Sequence, residues 1–249
     1  FGVHAEADVT ATVIECCGSE QTFLLAAGNE TVAVRTRMIG NHHVSNCLAA
    51  AAAALVLGVD LQAIARGLES LERIPGRLEP VDCGQSFGVF VDSAHTPDSL
   101  AVSLKALRQV TSGRLICVFG ASGERDPNYR PLLGRIAERT ADVSIITTDN
   151  PGHEDVLAIA HDIMDGYDRP ARARLIPNRT KAIQWAVESA QPGDTVLIAG
   201  KGHEQFQIIG HTTTPFDDRE VAKHHLYRLS AENRPISGLH LLSFADHAA

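Results

Sequence analysis

The sequence predicts an α/β protein: a doubly wound, mainly parallel sheet preceded by a smaller unit of antiparallel strands and helices. Short runs apolar on both faces, Leu115–Phe119 and Thr195–Ala199 among them, suit buried strands of a parallel sheet. They alternate with segments of helical period, the rhythm of βαβ units. Each run ends at once in a polar or glycine-rich loop, and in open α/β sheets ligands bind beyond the carboxyl ends of the strands.

Residues 7–15 alternate, with Val9, Ala11 and Val13 on one side, as a half-buried strand does. Residues 21–25 form its partner across a Gly18-Ser19 turn. Residues 31–37 alternate again, so an antiparallel meander is expected. Gly40-Asn41-His42-His43-Val44-Ser45-Asn46 then leads into an alanine-rich helix over residues 47–57. Its small side chains permit close packing on a sheet. Gly58 ends it, and Asp60 caps a second helix reaching residue 71. Pro75-Gly76-Arg77 breaks the pattern and reads as a linker between domains.

The rhythm then changes to strand and helix in turn. Residues 87–91 read as a strand, with Asp92-Ser93-Ala94-His95-Thr96-Pro97-Asp98 at its end. Pro97 suits the first turn of a helix over Pro97–Val110. The strand Leu115–Phe119 is followed by a helix over 130–139 and a strand over 143–147. The latter ends in Thr148-Asp149-Asn150-Pro151-Gly152. Helices are expected over 156–165 and 181–190, the second closed by Pro192-Gly193. The strand Thr195–Ala199 runs into Gly200-Lys201-Gly202-His203-Glu204, with residues 205–209 extending it and a last helix over 217–226. From Pro235 onward no period is visible, and a loose tail is expected.

A net charge of −8 disfavours a surface for nucleic acid or anionic membrane. The longest apolar stretch, residues 49–59, is too short to span a bilayer. Five cysteines show no CxxC spacing, which favours a reducing cytoplasm and buried structural thiols over secretion or a zinc site. His42-His43 lack helical metal-ligand spacing, so no metal site is expected. The opening Phe1-Gly2-Val3-His4 has no initiator Met and runs straight into strand-like sequence, as expected for a piece of a longer protein.

Four strand ends carry the chemistry: residues 92–98, 120–126, 149–152 and 200–204. Glu124, Arg125 and Asp126 are expected to face the site. Arg125, Lys201 and the amides of Gly200 and Gly202 suit carboxylates or phosphates. Asp92, Asp149, Asn150 and Glu204 suit amino and hydroxyl groups. Together they point to a zwitterionic or phosphorylated small molecule. Each loop alone is ordinary. The GxxxxGK[ST] spacing of a P-loop is absent from this sequence, and Gly120-Ala121-Ser122-Gly123 lacks the full GxGxxG fingerprint. His95 alone reads equally as a cap or a core histidine. The coincidence of four loops carries the reading.

These motifs resemble the Mur ligase family, and within it the branch that adds the third residue of the peptidoglycan peptide. The resemblance rests on Gly76-Arg77-Leu78-Glu79, the 92–98 loop, the stretch from Val118 through Arg130-Pro131-Leu132, Asp149-Asn150-Pro151, Ala199-Gly200-Lys201-Gly202-His203-Glu204 and Asp217-Asp218-Arg219-Glu220. Their order and spacing match over residues 40–226. The resemblance implies a Rossmann-like C-terminal domain at 75–229 that binds an incoming amino acid. It implies the rear part of a central ATPase domain at 1–74 and leaves residues 230–249 as a loose tail. It further implies that ATP phosphorylates a carboxylate of a UDP-N-acetylmuramoyl dipeptide and that the amine of a diamino acid attacks the acyl phosphate, in the cytoplasm. Such catalysis is positioning plus charge stabilisation. The P-loop, the Mg²⁺ ligands and a carbamylated lysine of that family fall outside this chain, so the chain alone is expected to be inactive.

Carried over by motif, Asn46 contacts the adenine side of ATP. Arg77 and Asp92 sit at the nucleotide, Asp92 near the ribose, and His95 borders the same site. Arg125, Asp149, Asn150, Gly200 and Glu204 hold the incoming amino acid, with Arg125 on a carboxylate and Glu204 on an ammonium group. Three positions depart from the family pattern. Ser93 stands where Tyr is usual, and His43 where Asn is usual. Gly152 stands where diaminopimelate-adding members carry an Arg that grips the distal carboxylate. Losing such a contact costs about 1.5–3 kcal/mol. Lysine-adding members also lack that Arg. The residues around Arg125 and residues 200–204 favour diaminopimelate, with L-lysine as the alternative. From another class, the missing P-loop favours a non-catalytic module that binds an amino acid or peptide.

Overall fold

The computed structural model describes residues 1–3, 7–18 and 20–232. The chain opens with β1 (Val9–Cys17), β2 (Glu20–Ala27) and β3 (Glu30–Thr36) in the expected antiparallel meander. Phe23 lies opposite both Val13 and Val34. Alternation buries Val9, Ala11, Phe23, Leu25 and Val34, and a bulge between Val13 and Glu15 breaks it further along. This face packs on α1 (Asn41–Val56) and α2 (Leu61–Glu69) through Val44, Leu48, Ala51 and Ile64, forming a core of its own. Asp60 caps α2 as expected, accepting from the Ala63 amide at 2.8 Å.

Helix α1 starts at Asn41, not at residue 47, which corrects the expected loop. Polar Asn41, Ser45 and Asn46 disguise the turn. Val44, Cys47, Leu48 and Ala51 nonetheless recur at helical spacing and are buried. Asn46 therefore lies inside the helix, on its exposed side.

Residues 75–77 are tied to the unit that follows them. The Gly76 amide donates to Glu79 Oε2 at 2.9 Å, and the Ser93 amide donates to the Gly76 carbonyl at 2.8 Å. The second unit then follows: β4 (Glu79–Pro80), β5 (Gly88–Asp92), α3 (Pro97–Val110), β6 (Leu115–Phe119), α4 (Tyr129–Thr140), β7 (Val143–Ile146), α5 (Val156–Met164), β8 (Ala173–Leu175), α6 (Arg179–Ser189), β9 (Thr195–Ala199), β10 (Phe206–Ile209), β11 (Thr212–Pro215) and α7 (Asp218–Glu232).

Its sheet has the order β4-β5-β9-β6-β7-β8, with every pair parallel except β4 with β5. The chain builds outward from β6 to β8, then returns to insert β9 beside β5. Ile198 is in register with both Val91 and Val118. Leu115, Cys117 and Phe119 point to a core with Leu104, Leu133 and Ile159. Ile116 and Val118 point to one with Ile183, Val187 and Leu226. Helices on both faces explain why β6 is buried at all five positions.

Residues 205–209 do not extend β9. Gly200 (φ +114°) and Gly202 (φ +57°) turn the chain off the sheet, and β10 pairs with β11 as a separate hairpin. Neither β8, three residues without an apolar run, nor β11, threonine-rich and exposed, carries a local strand signal. Helix α7 continues through residues 230–232, which were expected in the loose tail. The remainder of that tail and Ser19 of the first turn lie outside the described residues. Cys47 and Cys117 are buried as expected of structural thiols, whereas Cys17 is exposed. Among the described residues no helix is long and apolar enough to cross a membrane.

Candidate functional site

The ends of β6, β7 and β9 converge on Asn150. Its Nδ2 donates to Glu204 Oε2 at 2.8 Å. Its Oδ1 accepts from Lys201 Nζ at 3.0 Å and from the Ile208 amide at 3.1 Å. Lys201 Nζ also reaches Glu204 Oε2 at 3.0 Å. The Gly123 amide donates to the Asn150 carbonyl at 2.8 Å, and Gln207 Nε2 to the Asp149 carbonyl at 2.9 Å. Three strand-end loops and the β10–β11 hairpin thus share one knot.

Glycine makes this approach possible. A Cβ on Gly120 would overlap the Thr147 carbonyl oxygen, and one on Gly123 the Pro151 carbonyl oxygen. Without side chains the loop after β6 lies flat on the loop after β7.

Burial alone would raise the Glu204 carboxyl, yet the hydrogen bonds from Lys201 and Asn150 bring it below the usual carboxylate range. Glu204 is therefore an anion, and its Oε1 has no hydrogen bond among the described residues. Asp149 is buried, and its carboxylate likewise has no hydrogen-bond partner among them. Burial pushes its carboxyl up, opposed by the cations of Arg179 and Lys201. A Cβ on Gly200 would sit on Asp149 Oδ2, so glycine is required there for a second reason besides its φ.

Arg125 is exposed and has no ion pair among the described residues. Its neighbours do not share its outlook, which corrects the expected trio. Glu124, at φ +59°, accepts from His153 Nδ1 at 2.8 Å, and hydrogen bonds from His153 hold its carboxyl below the usual range. His153 Nε2 in turn lies 3.3 Å from His211 Nδ1. Asp126 accepts from the Asn128 amide at 3.0 Å. Gly152 has φ +58°, and a Cβ there would meet the Glu124 carboxylate at 2.8 Å. The Glu124 side chain is exposed, so it would have to move aside for a side chain at position 152.

The expected nucleotide residues form a second group. Asp92 is buried with both oxygens occupied: Oδ2 by the Leu78 amide at 2.7 Å, Oδ1 by the Ala94 amide and Ser103 Oγ, each at 2.9 Å. In this structure it pins the 76–79 turn to β5 and α3. Leu78 pays with φ +43°. Arg77 is exposed beside it, and His95 is held by its Nδ1 at 2.7 Å from the Ser93 carbonyl oxygen. Ser93 Oγ lies 3.4 Å from His203 Nδ1, and Gly76 packs on the Gly202–His203 backbone, so the two groups meet there. Asn46 and Arg125 make no bond to either group. His43 is buried, and neither ring nitrogen has a partner among the described residues. Burial pushes its pKa down to about 3, so it is a neutral imidazole.

Two roles escaped sequence reasoning. Lys201 suits an anion by its sequence context; buried, it serves Asn150 and Glu204 instead. Arg179 and Asp218, 39 residues apart, pair with both side chains fully buried. Only the Asp217-Asp218-Arg219-Glu220 motif signalled one partner. Arg219 of the same motif reaches Glu79 at 3.3 Å, joining it to the 76–79 turn.

A family model, "Mur ligase, glutamate ligase domain", matches residues 76–202 of the 249. A UDP-N-acetylmuramoyl-L-alanyl-D-glutamate–2,6-diaminopimelate ligase from Geobacillus kaustophilus is 45% identical over 224 residues, 90% of this chain and 46% of that protein. A solved structure of a ligase with that same description superposes with a TM-score of 0.67 at 36% identity, covering 90% of this chain and 46% of the other. The folylpolyglutamate synthase of Thermotoga maritima gives a TM-score of 0.61 at 21% identity over 78% of this chain and 44% of its own, which shows the fold alone. The chain spans about half the length of the curated relatives it matches.

Proposed function

Because the chain belongs to the Mur ligase family, we propose that it forms the amino-acid-accepting half of an ATP-dependent amide ligase. In this reading residues 75–229 are the C-terminal domain and residues 1–74 the rear part of the central ATPase domain. The complete ligase adds meso-diaminopimelate to UDP-N-acetylmuramoyl-L-alanyl-D-glutamate in the cytoplasm. The observation that carries this is the Asn150–Lys201–Glu204 knot, with ionised Glu204 and with Asp149, whose carboxylate has no hydrogen-bond partner among the described residues. Arg125, exposed and unpaired among the described residues, stands on the loop whose Gly123 amide bonds the Asn150 carbonyl.

Glu204 Oε1 and Asp149 accept from ammonium groups of the incoming amino acid. Arg125 donates to a carboxylate, and the charge on both members strengthens the contact. The Gly200 turn leaves room for the ligand backbone. On the other side of the Gly76–Gly202 contact, Asn46, Arg77 and His95 face the nucleotide, and Asp92 holds the turn that carries Arg77. The ligase activates the dipeptide's carboxylate with ATP. This half contributes by placing an amine against the acyl phosphate, which is catalysis by proximity. In this reading the ligands of the Mg²⁺ that accompanies ATP belong to the front half of the complete ligase. Among the described residues no group of three or more His, Cys, Asp or Glu could hold a metal, and Asp92 has its oxygens filled by the protein.

L-Lysine is the second reading, favoured by one observation: the rim at Gly152 offers the Glu124 carboxylate, not a guanidinium, to the far end of the ligand. The test grafts this chain onto the front half of the Geobacillus kaustophilus ligase and assays ATP-dependent ligation with each amino acid. Product with diaminopimelate is expected. Product with lysine alone would establish the second reading. A folded chimera that turns over neither would leave only an amino-acid-binding module.

A further inference from the structure

Beneath the site lies an arrangement that stability does not explain. The Arg179 side chain is fully buried at the first position of α6. A cation in a helix's first turn opposes the helix dipole. A buried ion pair also carries a desolvation cost that its attraction often fails to recover. Local rules broken together in this way point to a functional constraint.

The geometry shows what the guanidinium does. Nε and Nη2 hold Asp218, each at 2.7 Å, at the start of α7. Nη2 also donates to the Ala199 carbonyl at 2.9 Å, and Nη1 to the Thr148 carbonyl at 3.3 Å. Thr148 precedes Asp149, and Ala199 precedes Gly200. In the sheet β7 and β9 are not neighbours; β6 lies between them. One planar fork therefore spans the end of β6 and ties the last carbonyl of β9 and the Thr148 carbonyl, two residues past β7, to a single rigid group. A lysine, with a point charge and no planar fork, could not hold Asp218 bidentately while reaching both carbonyls.

We propose that Arg179, clamped by Asp218, is a positioning residue that fixes the separation between the Asp149–Asn150 loop and the Gly200–Glu204 loop, and so the spacing at which the incoming amino acid is read. The functional part of this statement rests on the amino-acid site proposed above.

Replacing a buried ion pair with apolar residues of similar volume is often neutral for stability. The double variant Arg179→Met with Asp218→Leu therefore removes the fork while keeping the fold. Two readouts are taken: the backbone amide spectrum of this chain without ligand, and the amino-acid KM of the chimera. In a double variant that still melts cooperatively, the amides of Asp149, Asn150, Gly200 and Lys201 are expected to shift or broaden. The diaminopimelate KM is expected to rise roughly 10- to 100-fold, with the ATP KM unchanged. A purely structural role would move melting and spare that split. Unmoved amides and an unchanged amino-acid KM in the folded variant would overturn the proposal. Should the double variant not fold, Arg179→Lys decides by the same readouts. If the parent chimera uses no amino acid, the functional reading fails on its own, and the ligand-free amides still decide whether Arg179 sets the loops.

Discussion

Asn150 and Glu204, 54 positions apart in sequence, are joined by a 2.8 Å hydrogen bond from amide to carboxylate, with Lys201 bonded to both. Lys201→Met removes the cation that helps hold the Glu204 carboxyl low. A carboxyl lowered on folding contributes stability above its unfolded pKa and loses it as pH falls through the folded value. The parent chain should therefore lose melting temperature below about pH 4.3, and Lys201→Met should flatten that limb. Identical acid limbs in the two proteins would remove Lys201 as the cause.

Arg125→Ala should cripple amino-acid use and little else. The side chain is exposed and unpaired among the described residues, so unfolding free energy should change by no more than about 0.5 kcal/mol. Loss of a charged hydrogen-bond donor to the ligand costs about 1.5–3 kcal/mol. The amino-acid KM of the chimera should rise to match, with ATP use unaffected. An unchanged amino-acid KM would exclude Arg125 from the site.

Asp92→Ala acts on stability first. It strands the Leu78 and Ala94 amides and the Ser103 hydroxyl, at about 1–3 kcal/mol for each donor left buried. Urea unfolding should show a midpoint well below the parent's. Faster hydrogen exchange at Gly76 and Leu78 should accompany it. A midpoint at the parent value would show that the turn does not depend on Asp92.

Gly152→Arg should not install a useful guanidinium. The left-handed backbone at φ +58° costs a side chain about 1–2 kcal/mol. The first carbon would also push the Glu124 carboxylate off its bond to His153. A lower melting temperature without a gain in diaminopimelate affinity is expected. Better binding at unchanged stability would contradict the reading of this rim.

The parallel unit was legible because its signals are local. Leu115–Phe119, Thr195–Ala199 and Pro97–Val110 were each read with their bounds, since apolar runs, a proline at a helix start and glycines at strand ends act within a few residues. The four loops were legible for the same reason, as were Asp149, Asn150, Gly200 and Glu204, which the structure brings together. What was not legible depends on contacts distant in sequence. Glu124 reads as part of a charged trio until His153 claims it. Lys201 reads as an anion ligand until Asn150 and Glu204 close around it. Asp92 reads as a free carboxylate until the 76–79 turn folds back onto it. Asn46 was misplaced for a different reason: a polar first turn hid the periodicity of α1, whose apolar positions begin only at Val44.

We place the incoming amino acid between the Asn150–Glu204 pair and the loop that carries Arg125. Titrating the isotopically labelled chain with meso-diaminopimelate, while following its amide spectrum, tests this most directly. Saturable shifts of the Asn150 side-chain amide and of the Gly200, Lys201 and Arg125 backbone amides, abolished by Arg125→Ala, are the expected result. Shifts clustered away from these loops, or none at saturating ligand, would contradict it.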